Sequence, residues 1–401
     1  MTPTLRIDTE APTASPVAAL LYGLVFVAAI AQTAIVPLLP RFADAYDLST
    51  ATTAALVAAP GAATFAVALP AGVFADRFGA RRVTLGAGVL LAVGVLGQAG
   101  PGYGWLLAGR LTFGIAYGIV WTTAVAWLAS SEGAGEGGSR RQAAIVTSAA
   151  IGVAAGPAFG ALLAAPAGLA APFVVAGIAA AGLTIVLARR SSDETRVASQ
   201  SPALAGSLST VARAGRGLTG GALALAISGA TNAVVQLLVP LQMHDAGAST
   251  ESIGLAFSCA AGLYIAVSAA IVRLGRRAVT SRTNALAALV LAVALFPAGS
   301  SGTAVAVLMT MMLTVAPRAT LATIAYPLAT SDAARAGVGQ GTAVGLLNGA
   351  WAGAMVAAPF AAGAISHWAG VRAAWLTTLA LAALGAAWLL ARETRPGVTA
   401  A

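Results

Sequence analysis

Between residues 51 and 109, charge is confined to one short stretch, Gly72-Val-Phe-Ala-Asp76-Arg77-Phe-Gly79-Ala-Arg81-Arg82. Residues 51–71 before it and 83–109 after it carry no charged side chain. A connection that short makes the two flanking runs antiparallel neighbours. Runs that long and that free of charge cannot sit on a water-facing surface. The pattern therefore constrains the chain to long helices packed side by side, with their charges gathered at the ends.

The rest of the sequence repeats this arrangement. Charged residues make up 9% of the chain and hydrophobic residues 59%, and the mean hydropathy is +0.87. A water-soluble domain carries about 25% charged residues, so this chain cannot cover itself with polar groups and needs lipid as solvent. A helix crosses roughly 30 Å of hydrocarbon with about 20 apolar residues. Apolar runs between charge clusters number twelve, over 16–39, 52–74, 83–99, 104–128, 142–165, 170–188, 218–241, 252–272, 283–298, 302–327, 338–364 and 371–391. The expected fold is an all-α integral membrane protein.

All 22 basic residues are arginine. With twelve spans, only Arg41 and Arg372 fall on one side, while Arg110 and Arg318 lie within spans. The remaining arginines, among them Arg77, Arg81, Arg82, Arg189, Arg190, Arg276 and Arg277, share the other side. This bias predicts a multi-pass protein with that side, and both termini, in the cytoplasm. A net charge of +9 would suit nucleic acid if it were clustered on a soluble face, but here it is strung along span ends. No nucleic-acid partner is expected. The wealth of Ala, Gly and Arg without Lys fits a GC-rich bacterial genome, and so a plasma membrane.

The first 15 residues are polar and mixed in charge, unlike a signal peptide. Cys259 is the single cysteine, which excludes an intramolecular disulfide or a cysteine-built zinc site. His244 and His367 lack metal-ligand spacing, so no metal and no cofactor is expected. The sequence contains no His-Glu-x-x-His, no Gly-x-Ser-x-Gly and no nucleotide-binding loop, which argues against an enzyme and against ATP drive.

The longest polar interval, from Arg189 to Arg216, is rich in Ser, Ala and Gly and falls at mid-chain. It divides the sequence into a tail at 1–15, a six-helix bundle at 16–190, a cytoplasmic linker at 191–217, a second six-helix bundle at 218–391 and a tail at 392–401. The halves echo each other. Val36-Pro37-Leu38 matches Val239-Pro240-Leu241, and Leu128-Ala-Ser-Ser131-Glu132 matches Leu328-Ala-Thr-Ser331-Asp332. Gly156-Pro157-Ala-Phe-Gly160-Ala matches Ala358-Pro359-Phe-Ala-Ala-Gly363. Parallel six-helix repeats with a site between them are one of the known transporter architectures.

The stretch Gly72 to Arg82, read as Gly-x-x-x-Asp-Arg-x-Gly-x-Arg-Arg, resembles the loop between the second and third helices of the major facilitator superfamily. Ala80 stands where that family usually has a first basic residue. The resemblance implies two pseudo-symmetric six-helix bundles and transport of a small-molecule substrate by alternating access. It also implies a conformational latch formed by Gly72, Asp76, Arg77, Gly79, Arg81 and Arg82. In that latch, Asp76 engages the start of the eleventh span near Arg335 to Gln340, because helix N-termini attract carboxylates. The equivalent loop of the second half, Arg273 to Arg282, keeps arginines but has no acid.

Arg110-Leu-Thr-Phe-Gly114 resembles the fourth-span motif of the same superfamily, with Phe113 in place of its usual Gln. Arg110, Gly114, Tyr117 and Trp121 share one helical face. An arginine in hydrocarbon costs at least about 2.5–3.5 kcal/mol, so Arg110 needs a cavity or a partner; bonding to backbone carbonyls is the simpler alternative. Gly152-Val-Ala-Ala-Gly156-Pro157-Ala-Phe-Gly160 resembles the motif of the drug/proton antiporter branch, and favours export. Small residues and a proline also serve plain helix packing.

Every acid lies at a span end, loop or tail. Proton coupling would thus fall to Asp44, Asp47, Asp245, Glu251 or Asp76. The interior polar and aromatic residues that qualify as substrate contacts are Gln32, Tyr117, Trp121, Asn232, Gln236, Tyr264, Arg318, Asn348 and Trp351. The expectation is a monomeric carrier in the lipid bilayer that exports a small, partly apolar compound, with protons as the counter-ion by family resemblance. The alternative is an importer or facilitator of a small organic anion recognised by Arg110 and Arg318. A sensor built on the same fold is a third class.

Overall fold

The computed structural model describes residues 15–130, 136–191, 215–335 and 340–393. Most of the predicted tails and linker, and the loop segment 336–339 invoked for the latch, lie outside the described residues. So do the surroundings of Gly72 and the side chain of Asp76. Among the described residues there is no strand.

Twelve helices follow one another: α1 Pro16–Ala45, α2 Thr50–Phe78, α3 Ala80–Gly97, α4 Tyr103–Ser130, α5 Glu136–Ala167, α6 Ala171–Arg190, α7 Gly215–Asp245, α8 Thr250–Leu274, α9 Ser281–Ser300, α10 Ala304–Arg335, α11 Gln340–Ala369 and α12 Val371–Glu393. Among the described residues, eleven contain segments long and apolar enough to cross a membrane. Helices run past the apolar stretches at the arginine-bearing ends, as α5 does by beginning at Glu136. Charge does not end a helix there, because an intrahelical hydrogen bond still satisfies the backbone better than a loop in the interface.

Hydroxyl side chains open several helices. Ser15, Ser49, Ser249, Thr280 and Thr303 each accept a hydrogen bond from the backbone N–H three residues on, which satisfies a donor the helix leaves unpaired. The connection between α2 and α3 is a single residue, Gly79, at φ 87°. That value suits glycine and strains any residue with a Cβ. Arg81 then binds across to the C-terminus of α6, through Nε to Ser191 Oγ at 2.8 Å and Nη2 to Ser191 O at 2.8 Å.

Prolines break three helices. In α1, Pro37 and Pro40 remove two donors within one turn, and a 3-10 turn at Val36–Leu38 separates Pro16–Ala34 from Leu39–Ala45. Its repeat partner α7 has only Pro240 and stays continuous. Breaks also fall at Leu295 before Pro297 in α9 and at Thr314 before Pro317 in α10. Thr314 and Val315 are fully buried, as irregular backbone at membrane depth must be.

Helices α1–α6 and α7–α12 form two bundles. In the first, α1 packs on α5 and α6, α4 on α2 and α3, and α3 on α6; in the second, α7 packs on α10 and α11, and α9 on α12. Between them, α2 lies against α11 and α5 against α8. The exterior is apolar: Val272, Val293, Val305, Leu381 and Leu384 are each more than 60% exposed. In water such a surface would be a liability, whereas in hydrocarbon it costs nothing.

Candidate functional site

The glycines of Gly152-x-x-x-Gly156-Pro157-x-x-Gly160 form the face of α5 that meets α1. A Cβ on Gly152 would lie 2.6 Å from Phe26 O, and one on Gly156 2.7 Å from Ile30 O; one on Gly160 would fall on Ala34 O. Thr33 Oγ1 donates to Val153 O at 3.1 Å across the same seam. The opposite side of this segment touches the second bundle. Gly254 of α8 packs on Pro157 and Ala161, and Ala158 N donates to Ser258 Oγ at 3.0 Å. Cys259 follows on α8 and is exposed.

On α4, Gly114 packs against Pro60 and Gly118 against Thr64 and Val67, both on α2. Arg110 is 2% exposed. Its Nε donates to Leu56 O at 3.0 Å, one terminal nitrogen donates to Gln32 O at 3.4 Å, and its guanidinium lies 5.8 Å from the centre of the Phe113 ring. From there the rings of Phe113, Tyr117 and Trp121 stack along the helix, with centroids 5.7 and 6.5 Å apart. The Gln32 side-chain oxygen is buried and has no hydrogen-bond partner.

The second bundle gathers its polar side chains differently. Arg318, 7% exposed, follows the break that Pro317 makes in α10. Its Nε donates to Thr314 O at 3.4 Å and one terminal nitrogen donates to Asn232 Oδ1 at 2.5 Å. Asn232 in turn directs Nδ2 at Met355 Sδ, 3.5 Å away on α11. Tyr326 donates its hydroxyl to Asn348 Oδ1. Trp351 packs on Gly229 of α7. The described hydrogen bonds of this polar network fall into two groups, Arg318–Asn232–Met355 across α10, α7 and α11 and Tyr326–Asn348 across α10 and α11; Tyr264 of α8 makes no described hydrogen bond to either. Gln236 sits one turn beyond Asn232, half-buried.

Two members of this network escaped the sequence reading. Tyr326 follows an apolar run, and Met355 reads as packing. The only available signal was helical spacing: Tyr326 lies two turns beyond Arg318 and Met355 two turns beyond Asn348. Gln32, Tyr117 and Trp121 belong to the first bundle and make no described hydrogen bond to this network.

At the end of the molecule opposite Gly79, the bundles also meet through charge. His244 Nε2 of α7 lies 2.9 Å from Asp44 Oδ2 of α1. Arg41 donates to Ala164 O of α5 at 3.2 Å. Gly363 packs on the first turn of α2 at Thr50 and Ala51. Among the described residues no cluster of His, Cys, Asp or Glu suits a metal ion.

Two bundles of six helices, joined at their faces and holding polar groups among their apolar ones, are one of the architectures of membrane transporters. The profile described as Major Facilitator Superfamily matches residues 21–342, and the chain belongs to that superfamily. No curated protein matches it by sequence. Among solved structures, it is similar to a bacterial homologue of the human lysosomal transporter Spinster in its inward-facing and unoccupied conformation. That likeness has a TM-score of 0.78 at 15% identity, over 95% of this chain and 98% of the other. The same homologue, inward-facing and occupied, gives 0.76 at 13% identity, over 94% and 97%. The human organic anion transporter MFSD10 (TETRAN) gives 0.64 at 20% identity, over 93% and 98%. At these identities the likeness concerns the fold.

Proposed function

We propose that the chain is a secondary carrier that exports a small, partly apolar organic compound from a bacterial cell, in exchange for protons. Residues 16–190 and 218–391 act as the two moving bundles, joined by a cytoplasmic linker at 191–217. The tails 1–15 and 392–401 lie in the cytoplasm, and the protein works as a monomer in the plasma membrane. The orientation rests on the one-sided distribution of arginine.

The observation that carries the reading is the pair of hydrogen bonds inside the second bundle, Arg318 to Asn232 and Tyr326 to Asn348. Polar and ionisable groups inside a membrane protein mark solute pathways. The stacked rings of Phe113, Tyr117 and Trp121 on α4 supply an apolar counterpart. Export is supported by the antiporter-like motif of α5, although its glycines also account for close packing on α1. Proton exchange is assigned to the carboxylates at the arginine-poor end, Asp44, Asp47, Asp245 and Glu251.

The test is accumulation of cationic, neutral and anionic fluorescent compounds in cells lacking their main efflux pumps, with and without a protonophore. Reduced accumulation that the protonophore abolishes is the expected result. Increased accumulation of an anion overturns the export direction. No change for any compound overturns the carrier reading.

A further inference from the structure

We infer that the compound carried through this protein bears an anionic group, which docks on Arg318 and Asn232; this rests on the carrier reading above. Arg318 is buried at the middle of a membrane helix and no carboxylate pairs with it among the described residues. The described acids stand at helix ends, as Asp44, Asp47, Asp245, Glu251 and Asp332 do. A buried cation left without an opposite charge is strongly unfavourable. An amide oxygen and a backbone carbonyl offset only part of that cost.

The donors around Arg318 point the same way. Two of its three nitrogens are engaged and one terminal nitrogen has no described hydrogen bond. Asn232 Nδ2 spends its bond on a thioether sulfur, a weak acceptor that a carboxylate or sulfonate oxygen would replace with gain. An oxyanion finds here a guanidinium edge and an amide donor side by side, with no acid to repel it.

Arg110 also keeps one terminal nitrogen without a described bond, but its other two hold backbone carbonyls of two other helices, Leu56 O and Gln32 O, which cannot turn aside for a ligand, and its guanidinium lies over Phe113. The anion reading therefore narrows from two arginines to one. The apolar body of the compound then belongs with the aromatic side chains, and the class is an amphipathic organic anion.

The experiment uses the purified full chain with matched pairs of sulfonate and sulfonamide on benzene, naphthalene and octyl bodies. Binding is read by thermal shift in detergent, and movement by counterflow in liposomes. The wild type is expected to prefer the sulfonates at least tenfold. Arg318→Gln should lose that preference. Asn232→Asp, which places a carboxylate on Arg318 and keeps the packing, should lose it too. Equal or tighter binding of the sulfonamides by the wild type overturns the proposal, as does a sulfonate preference that survives Asn232→Asp. Transport of sulfonamides alone removes the anion and leaves the carrier standing. Transport of neither set counts against the carrier reading, and the anion proposal falls with it.

Discussion

Arg110 and Arg318 place the same charge at similar burial in the two bundles, with opposite consequences. Arg110 ties the carbonyls of Leu56 on α2 and Gln32 on α1 to α4, three helices of the first bundle drawn together by one side chain. Arg318 binds a carbonyl on its own helix and one side-chain amide on α7. Backbone carbonyls are fixed by the helix and cannot exchange partners without unfolding, whereas a side-chain amide can turn to another ligand. Burial alone does not tell a brace from a binding group; the mobility of its partners does.

The comparison is broken most severely at the small residues that let the first bundle close. Gly156→Val or Gly160→Leu would drive a side chain into Thr33 or Ala34 of α1, and size-exclusion chromatography should show no monodisperse protein. In the second bundle the matching positions are Ala358 and Ala362, and Gly363 beside them faces α2 of the other bundle, where a Cβ meets Ala51 and Ala54 at 3.0–3.1 Å, so Gly363→Ala should yield folded protein with a lowered melting temperature. The two arginines come next. Arg110→Met should lose about 1–3 kcal/mol through its charge-assisted bonds, while survivors keep the wild-type order of substrates. Arg318→Met should do the reverse, with a smaller fall in melting temperature and a changed order of substrates. If both variants lose stability and neither alters selectivity, both arginines are braces. The loops differ as well, since the second bundle's Arg273 to Arg282 has no counterpart of Asp76. Asp76→Asn should lower transport several-fold with expression intact, and unchanged transport would remove the latch role. Thr33→Val, which deletes the bond to Val153 O, should cost about 1 kcal/mol by thermal melting. The smallest effect belongs to His244→Ala. Its partner Asp44 is 69% exposed, and a pair that open to water is worth roughly 0–1 kcal/mol.

Spans, order and end-charge were legible because each depends on a local property: a run without charge, a cluster of arginines, or a glycine where the chain reverses. The helix of Arg110 was found as the apolar run 104–128 despite the charge inside it, because a single arginine does not interrupt a run of that length. The site was legible only as a pool of residue types. Nothing in the sequence around Arg110 and Arg318 says that one faces carbonyls and the other an amide, because those partners lie between 54 and 86 residues away. The repeat misled in one place. Val36-Pro37-Leu38 and Val239-Pro240-Leu241 read alike, yet only the first breaks its helix, and the difference is one further proline at 40.

Cys259 offers an experimental convenience. It is the only thiol in the chain, it is exposed, and it stands on α8 beside the serine that touches α5 of the other bundle. A fluorophore or spin label attached there needs no background mutagenesis. One added cysteine on the first bundle makes a two-probe ruler, and the molecule then reports its own opening and closing while it works.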